Sequence, residues 1–272
     1  MKRSFKVAAA VLLFIAQTAF GAPYSDPNKT KMIVAAATPD LNEIVAAIGG
    51  NYVDVKSLMS ADTIYEDFKI TSSTVALAKK SNLVLFSGEE KWAGSLKNQA
   101  GAAGRIYKTL AAEGNLMIAY IRIRAAEEIR TILSSLDEEN ASHFEENYTN
   151  YAYAVNFAAS QAKTELADAY GVKVISNANI RTLLESFGFD VVAVYSGREL
   201  TPRQMSYLLQ RGKTNNIRIV VDNLQAGAFA GRNLADEIGA KHVAISNSTL
   251  GKSYVNTLRD NVKRLKDALQ KQ

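Results

Sequence analysis

The chain contains no cysteine. That excludes a disulfide framework, a thiolate metal site, a cysteine nucleophile and a lipid-modified cysteine near the start. Histidine is almost as scarce, with His143 and His242 the only two. A tight zinc site needs several nitrogen, sulfur or carboxylate ligands converging on one ion, and two histidines far apart in sequence do not supply that set. Enzyme signatures are missing as well: there is no Gly-x-Ser-x-Gly elbow, no His-Glu-x-x-His and no phosphate loop. The reading is therefore of a protein that is not an enzyme. No basic cluster of the kind nucleic acid demands is present, because lysines and arginines are interspersed with acids. No apolar run after the first twenty residues approaches the roughly 20 residues of a membrane span.

The first residues carry the one strong address. Lys2, Arg3 and Lys6 precede an apolar run from Val7 to Ala16, and Ala19 and Gly21 occupy the two positions a signal peptidase reads. This pattern predicts a signal peptide over 1–21, cleaved near Ala22, and a periplasmic, soluble, monomeric product. Removing those three cations, with no acid lost, takes the formal charge from +5 to +2. Export without disulfides fits a bacterial periplasm.

Short β-branched runs alternate with helical runs along the rest of the chain. Met32 to Thr38 reads as a buried strand, and Pro39 opens a helix with Leu41, Ile44, Val45 and Ile48 on one face, stopped by Gly49 and Gly50. Further strands are expected at 53–59, 82–88 and 105–110, with a helix at 73–80. The middle differs: a helix over 125–136 is followed by a helical pattern with no proline or glycine between 137 and 170. That segment would span roughly 45 Å at 1.5 Å per residue, more than one small lobe requires. Strands at 172–176, 189–196, 217–222 and 242–246 then alternate with helices. The expected fold class is α/β: two lobes with mainly parallel sheets flanked by helices, joined by one long spine helix. The expected division is 22–136 for the N-terminal lobe, 137–170 for the spine and 171–272 for the C-terminal lobe.

Four segments, in this order and spacing, resemble the solute-binding components of zinc and manganese ABC importers, a family that includes streptococcal-type surface adhesins. They are TSSTVALAKKSNLVLFSG at 71–88 with Trp92 after it, LSSLDEENASHFEENY at 133–148, FGFDVVAV at 187–194, and Asp222 through Lys241, ending Ile-Gly-Ala-Lys. The resemblance implies delivery of a ligand to an ABC permease in the inner membrane. It also implies a metal held between the lobes by three histidines, or two histidines and a glutamate, plus a carboxylate. Here those positions fall on Glu66, on Gly114 or Met117, on Asn177 and on Ser246, and the family's histidine-rich loop is missing. Glu66 is the one strong oxygen ligand at a family position, with Asp222 an acid the family keeps at a strand end. No cofactor is implied beyond a weakly bound divalent metal held by these two.

Ligands of open α/β sheets bind beyond the carboxyl ends of the strands. Those loops also carry Tyr65, Asn179, Tyr195, Arg198, Asn223 and Asn247, with Tyr120, Arg122 and Arg124 as further candidates. This hydrogen-bonding and aromatic set suits an organic solute or a chelated metal better than a bare ion, and Arg198 could fork onto a carboxylate or phosphate. The expected function is the solute-binding component of a metal-type importer with an altered inter-lobe site. The alternative is an adhesin-like interaction protein that keeps the fold without transport.

Overall fold

The computed structural model describes residues 30–61, 63, 65–197, 199–226, 229–249 and 251–270, and of Glu66 the backbone alone. The expected signal peptide lies outside these residues.

The first lobe is built on a four-stranded parallel sheet in the order β2-β1-β3-β4. Its strands are β1 (Met32–Ala36), β2 (Val53–Ser57), β3 (Leu83–Phe86) and β4 (Ile106–Thr109). Central β1 and β3 are apolar on both faces because helices cover both sides, as all-parallel sheets require. Helix α1 (Pro39–Gly49) starts where Thr38 caps the Leu41 N–H at 3.3 Å and Pro39 supplies a ready-made first turn. It ends at Gly50, whose φ of 53° a side chain would oppose. A capping box between Thr71 and Thr74 opens α2 (Ser72–Lys80). A further helix that the apolar spacing did not announce, α3 (Ala93–Ala100), follows Trp92.

The second lobe repeats the plan. Its sheet is parallel in the order β6-β5-β7-β8, from β5 (Lys173–Asn177), β6 (Asp190–Tyr195), β7 (Ile219–Asn223) and β8 (Lys241–Ile245).

Between the lobes run α4 (Ala119–Leu136) and α5 (Ala141–Glu165), separated by a single 3₁₀ turn at Glu138–Asn140. The helical stretch of α4 begins six residues earlier than expected. The alternation in Tyr120-Ile-Arg-Ile-Arg reads locally as strand, and only burial of Ile121 and Arg122 on one face makes it helical. Helix α5 has 25 residues, about 37 Å at 1.5 Å per residue. Phe144 near its start lies in the first lobe's core, and Val155 and Ala162 lie in the second's. Helix α4 crosses too, with Ile121 in the second core and Ala125, Ile129 and Leu133 in the first. Two packed helices therefore bridge the lobes. Helices α6 (Arg181–Ser186), α7 (Pro202–Thr214), α8 (Arg232–Ile238) and α9 (Tyr254–Leu269) complete the second lobe, α9 lying against both β8 and α5. Among the described residues no helix is long and apolar enough to cross a membrane.

Continuous helices resist hinge bending more than loop crossovers do. Small-angle scattering profiles with and without ligand are thus expected to superimpose. A domain closure visible as a clear fall in radius of gyration would contradict the rigid bridge.

Candidate functional site

The carboxyl ends of both sheets open onto one cleft of about 760 Å³. Every part of its lining follows a strand. Thr38 to Asp40 come after β1, Met59 to Tyr65 after β2, Ser87 to Trp92 after β3 and Gly114 to Leu116 after β4. From the second lobe come Asn179 after β5, Asn223 and Gln225 at the end of β7, and Asn247 and Ser248 after β8. This is where open α/β sheets place ligands, since strand ends leave backbone groups and loop side chains unspent.

The loop carrying Trp92 is held by Glu90, a buried carboxylate that accepts from the Ser87 N–H at 3.0 Å, the Gly88 N–H at 2.9 Å and the Ser87 hydroxyl at 2.8 Å. A nest of backbone donors of this kind fixes an anion and the turn around it. Trp92 in turn packs on Phe68, with ring centroids 4.5 Å apart, and edge-on to Phe86 at 5.8 Å.

Beneath the cleft lies a buried charge cluster. Arg122 on α4 is 0 % exposed. It donates to Asp40 at 3.2 Å, to Glu43, to the Tyr151 hydroxyl at 2.6 Å and to the Leu116 carbonyl at 3.0 Å, and its guanidinium lies 4.8 Å from the Tyr254 ring centroid. Both acids sit on α1 and reach the second lobe. Asp40 accepts from the Ser248 hydroxyl and from the Thr249 N–H at 3.1 Å, and Glu43 accepts from the Tyr254 N–H at 3.2 Å. Burial alone would lower the Arg122 pKa, but the neighbouring Tyr151 and the carboxylates of Glu43 and Asp40 outweigh it and raise it, so the guanidinium stays ionised. Asp40 and Glu43 carried no sequence signal beyond acids at a helix start.

Burial raises the tyrosines of this cluster. The Tyr151 hydroxyl is pushed well above its usual range, and that of Tyr254 up to about 12 from 10.0, with Glu43 adding to the rise and Arg122 opposing it. A phenol whose folded pKa exceeds its unfolded value contributes stability that is complete below the unfolded pKa and is lost as pH rises through the folded one. Stability is therefore expected to fall between about pH 10 and pH 12. The Tyr254 contribution, two pKa units at 1.36 kcal/mol each, is roughly 2–3 kcal/mol. Urea titrations on either side of this window should show a smaller loss in Tyr254→Phe. An unchanged loss would remove Tyr254 from the account.

The expected site residues divide. The Glu66 backbone lies in the 3₁₀ turn Tyr65–Asp67, whose Tyr65 lines the cleft, and Gly114 lines it as well. Arg198 lies outside the described residues. Asn177 is buried and uses its side chain to cap the turn after β5, accepting from the Asn179 N–H at 3.0 Å. Ser246 is buried in a loop network, its N–H donating to Asn261 at 2.9 Å and its hydroxyl to the Ser248 carbonyl. Met117 lies in the second lobe's apolar core, because the short turn before α4 directs it inward. Tyr195 and Asp222 meet inside the second lobe. Asp222 accepts from the Tyr195 hydroxyl, from the Gly231 N–H at 3.0 Å and from His242 at 2.7 Å. Gly231 is required there, since a Cβ would stand 2.4 Å from the Tyr195 hydroxyl. Burial, with the Asp222 charge, raises the Tyr195 pKa far above its usual value. These five residues organise loops and core beside the cleft instead of lining it: the carboxylate of Asp222 faces into the lobe, away from any ion between the lobes. Tyr120 is exposed and also stands outside the lining.

Neither histidine lines the cleft. His143 stacks on Tyr52, centroids 5.0 Å apart, and His242 is spent on Asp222. Among the described residues no group of three or more His, Asp or Glu side chains is arranged to hold a metal ion.

The family model described as zinc-uptake complex component A, periplasmic (ZnuA), matches residues 120–268. A comparison with curated proteins returns no match. Among solved structures the chain is similar to the periplasmic metal binding protein from Candidatus Liberibacter asiaticus, with a TM-score of 0.76, 18% identity and coverage of 88% of this chain and 100% of that one. It is similar also to the solute-binding protein FpvC from Pseudomonas aeruginosa in complex with Mn²⁺ (TM-score 0.76, 18% identity, 89% and 99% covered). A zinc-bound ZnuA deletion mutant gives a TM-score of 0.75 at 17% identity, with 89% and 100% covered. At such identities the likeness is one of fold.

Proposed function

Because this chain belongs to the periplasmic zinc-uptake component A family, we propose that it is the solute-binding component of an ABC importer with an altered inter-lobe site. It would capture a ligand between its lobes in the periplasm and present it to an inner-membrane permease, without catalysing a reaction. The observation that carries this reading is the cleft itself, framed by the carboxyl ends of two parallel sheets and lined by both lobes. The relatives named above include zinc- and manganese-bound proteins. The described lining of the cleft holds carboxamides, hydroxyls and aromatic rings and no histidine, which supports a cargo other than a tightly held bare ion. Mature protein is expected to start near Ala22 and to act as a monomer.

Native mass spectrometry of protein purified from its own host tests the proposal. A bound small molecule or metal complex, released on unfolding, is the expected result. A protein that emerges empty, and whose deletion leaves uptake of every tested solute unchanged, would favour the adhesin-like alternative.

A further inference from the structure

The described lining of the cleft carries little usable charge. Asp40 has both oxygens engaged, by Arg122 and the Thr249 N–H on one and by the Ser248 hydroxyl on the other. Glu89 and Lys91 are exposed, opposite in sign and on one loop. Arg122 is sealed beneath Asp40. What dominates is carboxamides, of which Gln225 is spent on the Ser246 hydroxyl and the Asn247 N–H, and Asn115 on the Met117 N–H and the Asn179 carbonyl, leaving Asn179, Asn223 and Asn247 of the second lobe to meet a ligand. A carboxamide offers donors and an acceptor with no net charge.

Two cleft residues on opposite lobes also hold buried donors that find no partner among the described residues, Trp92 Nε1 and Asn223 Nδ2. Asn223 is 1 % exposed, and its Oδ1 is already used by the Gln225 N–H at 3.3 Å. A buried donor left unpaired is destabilising. Native proteins leave few such groups, and those at a cleft point to an acceptor that arrives with the ligand. Trp92 and Phe68 add an apolar aromatic wall. The volume of about 760 Å³ falls within the roughly 300–1,000 Å³ of small-molecule sites, far more than an ion requires.

We propose that the cleft binds an uncharged, oxygen-rich organic molecule with a ring face, of sugar or cyclitol type. Its oxygens accept from Trp92 Nε1 and Asn223 Nδ2, and its hydroxyls exchange hydrogen bonds with the remaining carboxamides. Among the described side chains of the lining, an anion would find only the rim Lys91, and a cation only the rim Glu89, with Asp40 already engaged. This rests on the solute-binding reading and specifies its ligand.

Trp92 is the chain's single tryptophan, so emission excited selectively at tryptophan reports on the cleft. The full chain is titrated with glucose, sucrose and myo-inositol, and in parallel with glucuronate, glucosamine and zinc chloride. A saturable emission change with at least one neutral probe at millimolar concentration or below is expected. That affinity should fall about tenfold in Asn223→Leu, the equivalent of one lost hydrogen bond, and severalfold in Asn179→Leu. The second variant alters an exposed side chain, so its fold is not in question if the first is unstable. Silence with every neutral probe overturns the proposal. Saturation by glucuronate, glucosamine or zinc alone overturns the ligand class and leaves the solute-binding reading standing. That reading falls separately, if host-purified protein carries nothing and its deletion leaves uptake of every tested solute unchanged.

Discussion

Arg122→Ala is expected to lower folding stability by about 3–5 kcal/mol, the cost of breaking a buried ion cluster by removing one partner. Asp40 and Glu43 stand one turn apart on α1, and among the described residues the guanidinium between them is the only cation bonded to either. Without it two acids, both largely enclosed, face each other in a low-dielectric interior. Backbone donors from the second lobe remain on both, but a neutral N–H does not cancel a like-charge repulsion. The Tyr151 hydroxyl also loses the Arg122 donor and keeps Glu43 as its acceptor. Urea unfolding followed by circular dichroism gives the midpoint and the slope. A triple replacement, Asp40→Asn with Glu43→Gln and Arg122→Met, should recover a large part of the loss, because no uncompensated charge is then buried. A cost under about 1 kcal/mol for Arg122→Ala would mean that water reaches the cluster and that it does not bind the lobes together.

Zinc and manganese added as bare ions to chelator-treated protein are expected to bind no tighter than about 10 μM. Against a nanomolar site that is four decades, or roughly 5.6 kcal/mol. The physical reason is the donor set. The positions that the resemblance assigns to ligands hold one carboxylate, at Glu66, and otherwise Gly114 or Met117, Asn177 and Ser246. Met117 lies in the core, and the side chains of Asn177 and Ser246 are committed to the Asn179 N–H and the Ser248 carbonyl. A site with one carboxylate leaves a divalent ion mostly hydrated, and the usual order of affinities cannot compensate for absent nitrogen ligands. Calorimetry decides it. A sub-micromolar zinc affinity that disappears in Glu66→Ala would restore metal import as the function.

The order of elements was legible because its causes are local. Thr38-Pro39 and Thr201-Pro202 start helices by capping and by a fixed φ, within three residues of themselves. Val34 to Ala36 and Ile219 to Val221 are apolar at every position because both faces of a parallel strand are covered. Freedom from glycine and proline between 137 and 170 allowed the long α5. Two histidines in the whole chain exclude a three-histidine metal site by count alone.

What only the tertiary structure decided is which polar side chains meet the ligand. Asn177 and Asn179 are two residues apart, yet one is spent on a turn and the other stands in the cleft. Tyr195 and Asp222 end their strands as cleft residues do, but point into the lobe, where Gly231 leaves room for them. Asp40 meets Arg122 and the Thr249 N–H across 82 and 209 positions. Capping and periodicity act over one or two turns of chain, so a sequence displays them directly. The facing of a strand-end side chain is set by whichever distant element packs against it, and that partner exists only once both lobes have folded onto α4 and α5.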